Sequence, residues 1–297
     1  MSVEYRASRP GDEPGIFKAW ESLAAPAAWL DTDWRGVPDH HDHAFVAVDG
    51  SGVLAVVVQV PRLLRDLRGE PVRVGGIAAV ATRPDARRRG HARRLLELAI
   101  ESMNGFGWSL LFSGTPEVYT SLGWRDFPLH VRSGVPVAGL GDRPVVPGKA
   151  TDWKPLSVLY DAFNESTPLS AIRTERNWTH GVGRRLAANE LLLFEDRGYV
   201  AFADRPGTIE VTELAVQDTA AAEALLAGVA RRAARTGARV RLFLPIDPRT
   251  EPAVQRAFTD LRDEPFAGMA LPLATSQAEL TALAGAPNAV FWLADGF

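Results

Sequence analysis

Residues 80–94 read VATRPDARRRGHARR, and six arginines fall among them: Arg83, Arg87, Arg88, Arg89, Arg93 and Arg94. An apolar run from Val74 to Thr82 precedes this segment and a helical stripe follows it, so it reads as a strand-to-helix turn. The first amides of a helix lack intrahelical partners and converge on one point, where the helix dipole adds positive charge. That is an anion site. Arginines crowded at a helix start would be repelled by the same dipole unless an anion neutralised them. Gly90 lets backbone approach a phosphate closely, Ala92 keeps the first turn slim, and Arg87 and Arg88 can donate charge-assisted hydrogen bonds. The loop has neither the Lys-Ser/Thr pair of a Walker loop nor the three glycines of a dinucleotide fingerprint. A phosphate or pyrophosphate ligand of another kind is expected.

Three further stretches carry reactive side chains. His40, His41 and His43 (HHDH) resemble metal ligands, but no fourth partner or second His-rich segment accompanies them, so no metal is expected. Trp29, Asp31, Asp33 and Trp34 (WLDTDW) could wall a site for a cationic amine, although acids on a loop are ordinary. The sequence closes on NAVFWLADGF, and an apolar end implies a packed tail rather than a frayed one.

The elements that must position these groups can be read from periodicity. Residues 44–60 give two valine-rich runs split by Asp49-Gly50-Ser51-Gly52, as in a hairpin. Ala92, Leu95, Leu96, Ala99, Ile100 and Met103 recur with helical spacing, Gly105 and Gly107 end that helix, and Trp108 to Phe112 reads as the next strand. Residues 136–155 are rich in Pro, Gly and Val and read as a linker. Beyond it the pattern repeats: a strand from Thr208 to Val216, a stripe of Ala222, Leu225, Leu226, Val229, Ala230 and Ala233, and a strand from Ala238 to Leu244. Val80 lies twelve residues before Ala92 but Val216 only six before Ala222, so the second copy has lost the arginine loop.

Composition closes off several classes. The 297 residues include no cysteine, which excludes disulfide scaffolds, thiolate metal sites and a cysteine nucleophile. A net charge of −3 gives no global basic field, so no nucleic-acid partner is expected. No apolar run reaches the roughly eighteen residues of a membrane span and no leader is readable, so the expected location is cytoplasmic, with no membrane partner.

Arg87-Arg88-Arg89-Gly90-His91-Ala92, after a strand and Pro84, resembles the Q/R-x-x-G-x-G/A signature of the GCN5-related N-acetyltransferases. The resemblance covers about residues 1–130, with Ala92 where glycine is more frequent. It implies acetyl-CoA as co-substrate, with Val80, Ala81 and Thr82 along the pantetheine arm. Arg88, Arg89, Gly90, His91, Ala92 and Arg93 would then surround the pyrophosphate. The shortened repeat is similar to the Eis-like branch, whose tandem domains include a second without the cofactor loop. That branch usually carries a third, sterol-carrier-like domain of about a hundred residues, which is not expected within these 297 residues.

The implied fold is α/β: two tandem GNAT-like domains with mixed central sheets, the second degenerate. Expected boundaries are 1–135 for the catalytic domain, 136–155 for the linker, 156–275 for the degenerate domain, and 276–297 for a tail returning to the active site. Acetyl transfer needs a neutral amine and an acid for the leaving thiolate. In SGTPEVYTSLGW (113–124), Tyr119 stands where the family places a tyrosine near the cofactor sulfur, and Ser113, Gly114 and Thr115 would flank the acetyl group. By resemblance to the Eis-like branch, the carboxylate of Phe297 would be the base, with Glu117 as the alternative. Without cysteine, direct attack in a ternary complex is expected rather than an acetyl-enzyme. A non-catalytic acyl-CoA-binding regulator or scaffold is the rival expectation. The acceptor amine and any homo-oligomer are left open.

Overall fold

The computed structural model describes residues 2–23, 34–141 and 143–297. The hairpin expected at 44–60 forms from β2 (Ala44–Asp49) and β3 (Gly52–Arg65). Asp49 shapes its turn, its Oδ1 accepting the Ser51 backbone N–H at 2.7 Å. β1 (Glu4–Ala7) pairs antiparallel outside β2, and β4 (Pro71–Thr82) antiparallel with β3. A parallel neighbour, β5 (Trp108–Phe112), follows through helix α2, defined below. Helix α1 (Glu13–Trp20) packs Ile16 and Trp20 onto one face of this sheet.

The second half repeats the plan. After β6 (Arg125–Pro136) and the short β7 (Val146–Pro147), strands β8 (Glu190–Phe194), β9 (Gly198–Arg205) and β10 (Thr208–Val216) form a meander. β10 then pairs parallel with β11 (Arg239–Leu242). Two amphipathic helices make the equivalent crossovers. Helix α2 (His91–Ser102) joins β4 to β5 and buries Leu95, Leu96 and Ala99; helix α5 (Thr219–Thr236) joins β10 to β11 and buries Leu225, Leu226, Val229 and Ala233. Full burial of each leucine contributes about 1.5–3 kcal/mol, which is why the helical stripe predicted both helices. Between them lie α3 (Pro116–Thr120) and α4 (Trp153–Asn164), and α6 (Gln277–Ala284) follows the last strand.

That strand, β12 (Phe258–Pro272), reveals what the sequence did not. The described strands form one 12-stranded sheet in the order β1-β2-β3-β4-β5-β12-β6-β11-β10-β9-β8-β7. The final strand of each repeat crosses over: β12 pairs antiparallel with β5, β6 pairs antiparallel with β11, and the two pair with each other at the centre. The expected boundaries at 135 and 156 therefore follow the helices but not the strands. The linker also supplies β7, which edges the second half against β8. No described helix is long and apolar enough to cross a membrane.

Candidate active site

β4 and β5 pair only from Val74↔Trp108 to Ile77↔Leu111. Past that point β4 continues to Thr82 without β5, so the two strands part into a fork. A β-bulge marks the same place: the β3–β4 register shifts between Val56 and Val58, and Ala79 takes a φ of +48°. The Trp20 indole N–H donates to the Ala79 carbonyl at 3.2 Å and holds the bulge. Alternation along β4 sends successive positions to opposite faces. A β-carbon on Gly75 would collide with Met103 beyond α2, whereas one on Gly76 would meet the ring of Phe297 at 2.5 Å. The fork thus has an α2 face and an opposite face shared by α1 and Phe297.

On the α2 face, the arginine loop turns through a short 3-10 segment, Pro84–Ala86, and two left-handed residues, Arg88 (φ +61°) and Gly90 (φ +81°). Gly90 is the N-cap of α2, and no side chain among the described residues caps this helix. Its first-turn amides therefore remain available to a ligand. Arg87 donates to the Thr82 carbonyl at 3.2 Å, Arg89 to the Asp85 carbonyl at 2.8 Å, and Arg93 pairs with Glu97 at 3.3 Å. Arg88 is exposed and has no such partner among the described residues. Val80 packs toward the α2 core, Ala81 is buried on the opposite face, and Thr82 and Ala92 are half-buried.

One side chain of the expected anion shell is elsewhere. The His91 ring is buried, its Nδ1 2.8 Å from the Tyr5 hydroxyl. Burial, with the Arg89 charge, holds its pKa below the ordinary value, so it is neutral at pH 7. Through Nδ1 the ring docks α2 against β1, and Nε2 has no hydrogen-bond partner among the described residues.

The second repeat shows why its equivalent end is closed. Asp218 caps α5, its carboxylate accepting the Ala221 N–H at 2.9 Å and pairing with Arg197 at 2.6 Å. The second copy carries its own anion where the first leaves a vacant cap.

After β5 the chain turns at Ser113, whose hydroxyl accepts the Thr115 N–H at 3.0 Å; Gly114 and Thr115 are exposed at the fork's end. Thr115 is the N-cap of α3, which carries Tyr119 inward against Trp124, ring centroids 6.1 Å apart. Burial pushes the Tyr119 phenol above its ordinary pKa, opposed by the Ser113 hydroxyl, so Tyr119 keeps its proton at neutral pH. Glu117 on the same helix is exposed.

On the opposite face, the Phe297 ring is half-buried against Phe112 at the end of β5, centroids 6.0 Å apart, and against Phe291 at 5.8 Å. Trp20, Gly76 and Phe291 were not singled out in the sequence; a glycine within an otherwise apolar strand was the available signal for Gly76.

His40 and His41 gain a third neighbour that sequence reading missed: Glu13 on α1. Its carboxylate already binds the Arg35 guanidinium at 2.8 Å and approaches His41 Nε2 at 3.3 Å. That guanidinium supplies the positive charge a metal would bring. His43 instead contacts Gln59 Oε1 at 2.7 Å. Trp34 is buried against Trp20, and Trp29, Asp31 and Asp33 lie outside the described residues.

The open helix cap and the strand fork both lie within residues 4–126, which match the model of the acetyltransferase (GNAT) domain family. This segment is a GNAT acetyltransferase domain. Three solved structures share the fold over most of the chain. A GCN5-related N-acetyltransferase from Kribbella flavida superposes with a TM-score of 0.72 at 22% identity, covering 92% of this chain and 71% of that one. One from Anabaena variabilis ATCC 29413 gives 0.68 at 15%, covering 91% and 72%. Eis1 from Mycobacterium abscessus gives 0.61 at 15%, covering 91% and 73%. Among curated proteins none matches the sequence. The expected α/β fold of tandem GNAT-like halves is borne out, and the GNAT signature lies in the half that keeps the open cap.

Proposed function

We propose that the chain is an N-acetyltransferase that moves the acetyl group of acetyl-CoA to an amine within a ternary complex. The observation that carries this reading is the uncapped N-terminus of α2, ringed by arginines and opening beside the β4–β5 fork. The amides from Arg88 to Arg93, with the Arg88 side chain, would take the pyrophosphate. The free edge of β4 at Val80, Ala81 and Thr82 would take the pantetheine arm.

In the reaction, the amine nitrogen attacks the thioester carbonyl, the carbon–sulfur bond breaks, and the thiolate takes a proton. Tyr119 is the donor, because its buried phenol is protonated at neutral pH and its acidity is matched to a thiol. The proton lost by the amine goes to the carboxylate of Phe297, whose ring stands on the acceptor face, with Glu117 as the alternative base. Much of the remaining rate comes from holding amine and thioester together.

The test is release of free CoA from acetyl-CoA by purified protein with a panel of amines: an aminoglycoside, a polyamine, a peptide N-terminus and a lysine. CoA release that requires an amine supports the reading. Tight acetyl-CoA binding without release in any mixture would instead establish a non-catalytic acyl-CoA-binding protein.

A further inference from the structure

The second half contains a fully buried charge cluster for which the chemistry above has no use. Arg173 has no exposed side-chain surface and sits between two carboxylates. It donates to Glu213 at 3.0 and 2.5 Å, and to Asp295 at 2.7 and 2.9 Å. Tyr199 donates to Glu213 at 2.6 Å and Tyr160 to Asp295 at 3.2 Å. The guanidinium also stacks over the Tyr160 ring, 3.7 Å from its centroid.

The two carboxylates belong to different parts of the fold. β10 pairs with β11 over four residues, Thr208 to Val211, just as β4 pairs with β5 from Val74 to Ile77. Glu213 is the second residue past that pairing and sits at a bulge, the position Ala79 holds in β4. The carboxylate thus rises from the bulge of the degenerate fork. Asp295 lies on the tail, two residues before Phe297, whose ring stands in the other fork. The tail makes two more ties to the second half: the Val290 N–H donates to the Pro168 carbonyl, and the Trp292 indole to Asn164 Oδ1, both at 2.9 Å.

We infer that Arg173 is a positioning residue for the reaction site: by holding Asp295 against the bulge of the degenerate fork, it fixes where Phe297 stands in the working fork. This inference rests on the proposed function, because it takes the β4–β5 fork as the place of reaction. A buried ion cluster is a weak source of net stability and a strong source of geometry, since its members tolerate few arrangements. The ties at Val290 and Trp292 set the path of the tail, and the Arg173 fork, gripping Asp295 through two nitrogens, sets its end. The inactive half thereby acts on chemistry it does not perform.

The test is Asp295→Asn. This change leaves the Arg173–Glu213 pair intact and neutral, so no unpaired buried charge is created. Two readouts apply. Hydrogen exchange of residues 293–297 is expected to quicken by about tenfold or more while β4 and β5 keep their protection. With an amine acceptor, kcat or the acceptor KM is expected to worsen by about tenfold while acetyl-CoA affinity stays constant, and Phe297→Ala should absorb the effect, the double variant equalling the single one. Unchanged tail exchange in folded Asp295→Asn overturns the inference and leaves the acetyltransferase reading standing. A loosened tail with wild-type kinetics also overturns it. If Tyr119→Phe and Phe297→Ala are both fully active, the reading of the site itself fails. Should Asp295→Asn not fold, Tyr160→Phe removes the hydroxyl shared between the Ala171 carbonyl at 2.9 Å and the same carboxylate at 3.2 Å, and its tail exchange must move in the same direction.

Discussion

The ring of Phe297 occupies the volume that any side chain on Gly76 would need: a β-carbon there would lie 2.5 Å from Cδ1 of the ring and 2.6 Å from Cγ. The tail and the strand at the fork are therefore matched surfaces.

Gly76→Val should displace that ring and lower stability by about 1–3 kcal/mol, the usual cost of overpacking. Acetyl-CoA affinity should hold, because its proposed strand edge and loop lie toward α2. Adding Phe297→Ala should restore part of the lost melting temperature, since it empties the contested space. Melting curves of the two variants, with calorimetry for acetyl-CoA, check this; a Gly76→Val protein as stable as the parent would show that the ring is not held there.

Arg88→Ala combined with Gly90→Glu should abolish acetyl-CoA binding. The first change removes an arginine that has no partner among the described residues, and the second places a carboxylate at the open cap of α2. Gly90 also has a φ of +81°, so a side chain there adds backbone strain of about 1 kcal/mol. Calorimetric titration decides it, and undiminished affinity would refute the anion site.

Binding should saturate at one acetyl-CoA per chain. The Asp218 carboxylate fills the α5 cap and would repel a pyrophosphate. Two equivalent sites by equilibrium dialysis would overturn the description of the second half as closed.

Tyr119→Phe should lower kcat by about 10²-fold, the usual share of a general acid, with the acetyl-CoA dissociation constant nearly unchanged. The sign of the pH dependence follows from burial. A raised phenol pKa means the neutral form is favoured in the fold, a contribution fully present below the unfolded value of 10.0 and lost as pH rises through the higher folded value. The acid is thus available across neutrality, and kcat should decline only above about pH 10. That decline should be missing from the residual activity of Tyr119→Phe.

One glycine added after Phe297 tests the proposed base. It turns the carboxylate into a neutral amide and carries the charge away while keeping the ring in place, so turnover should fall by about 10²-fold with acetyl-CoA affinity intact. Full turnover at pH 7 would remove Phe297 as base and bring Glu117 forward.

The sequence was most legible where a feature depended on neighbours along the chain. Leu95, Leu96 and Ala99 announced α2, Thr208 to Val216 marked β10 to its ends, and the arginine loop lies at the start of a helix as expected. It was least legible where distant segments meet. His91 lies within the loop motif, yet its side chain answers to Tyr5, eighty-six residues away. Glu13 joins His40 and His41 only because α1 folds back onto that loop. Asp295 looks like an ordinary polar residue near a chain end, and nothing local shows that it meets Arg173 in a dry interior. The exchange of β6 and β12 was hidden for a related reason: β12 shows no clean alternation, its register shifts between Thr259 and Arg262, and pairing partners are not written in a strand's own residues.

That exchange has a consequence for synthesis. When a ribosome has emitted the GNAT segment in full, β5 still exposes an unpaired edge, because the strand that covers it, β12, belongs to the second half and appears later. The half that carries the arginine loop must wait, with a sticky flank, for the half that follows it. Severing the polypeptide in the 136–155 linker should accordingly give two aggregation-prone pieces, soluble only when produced together.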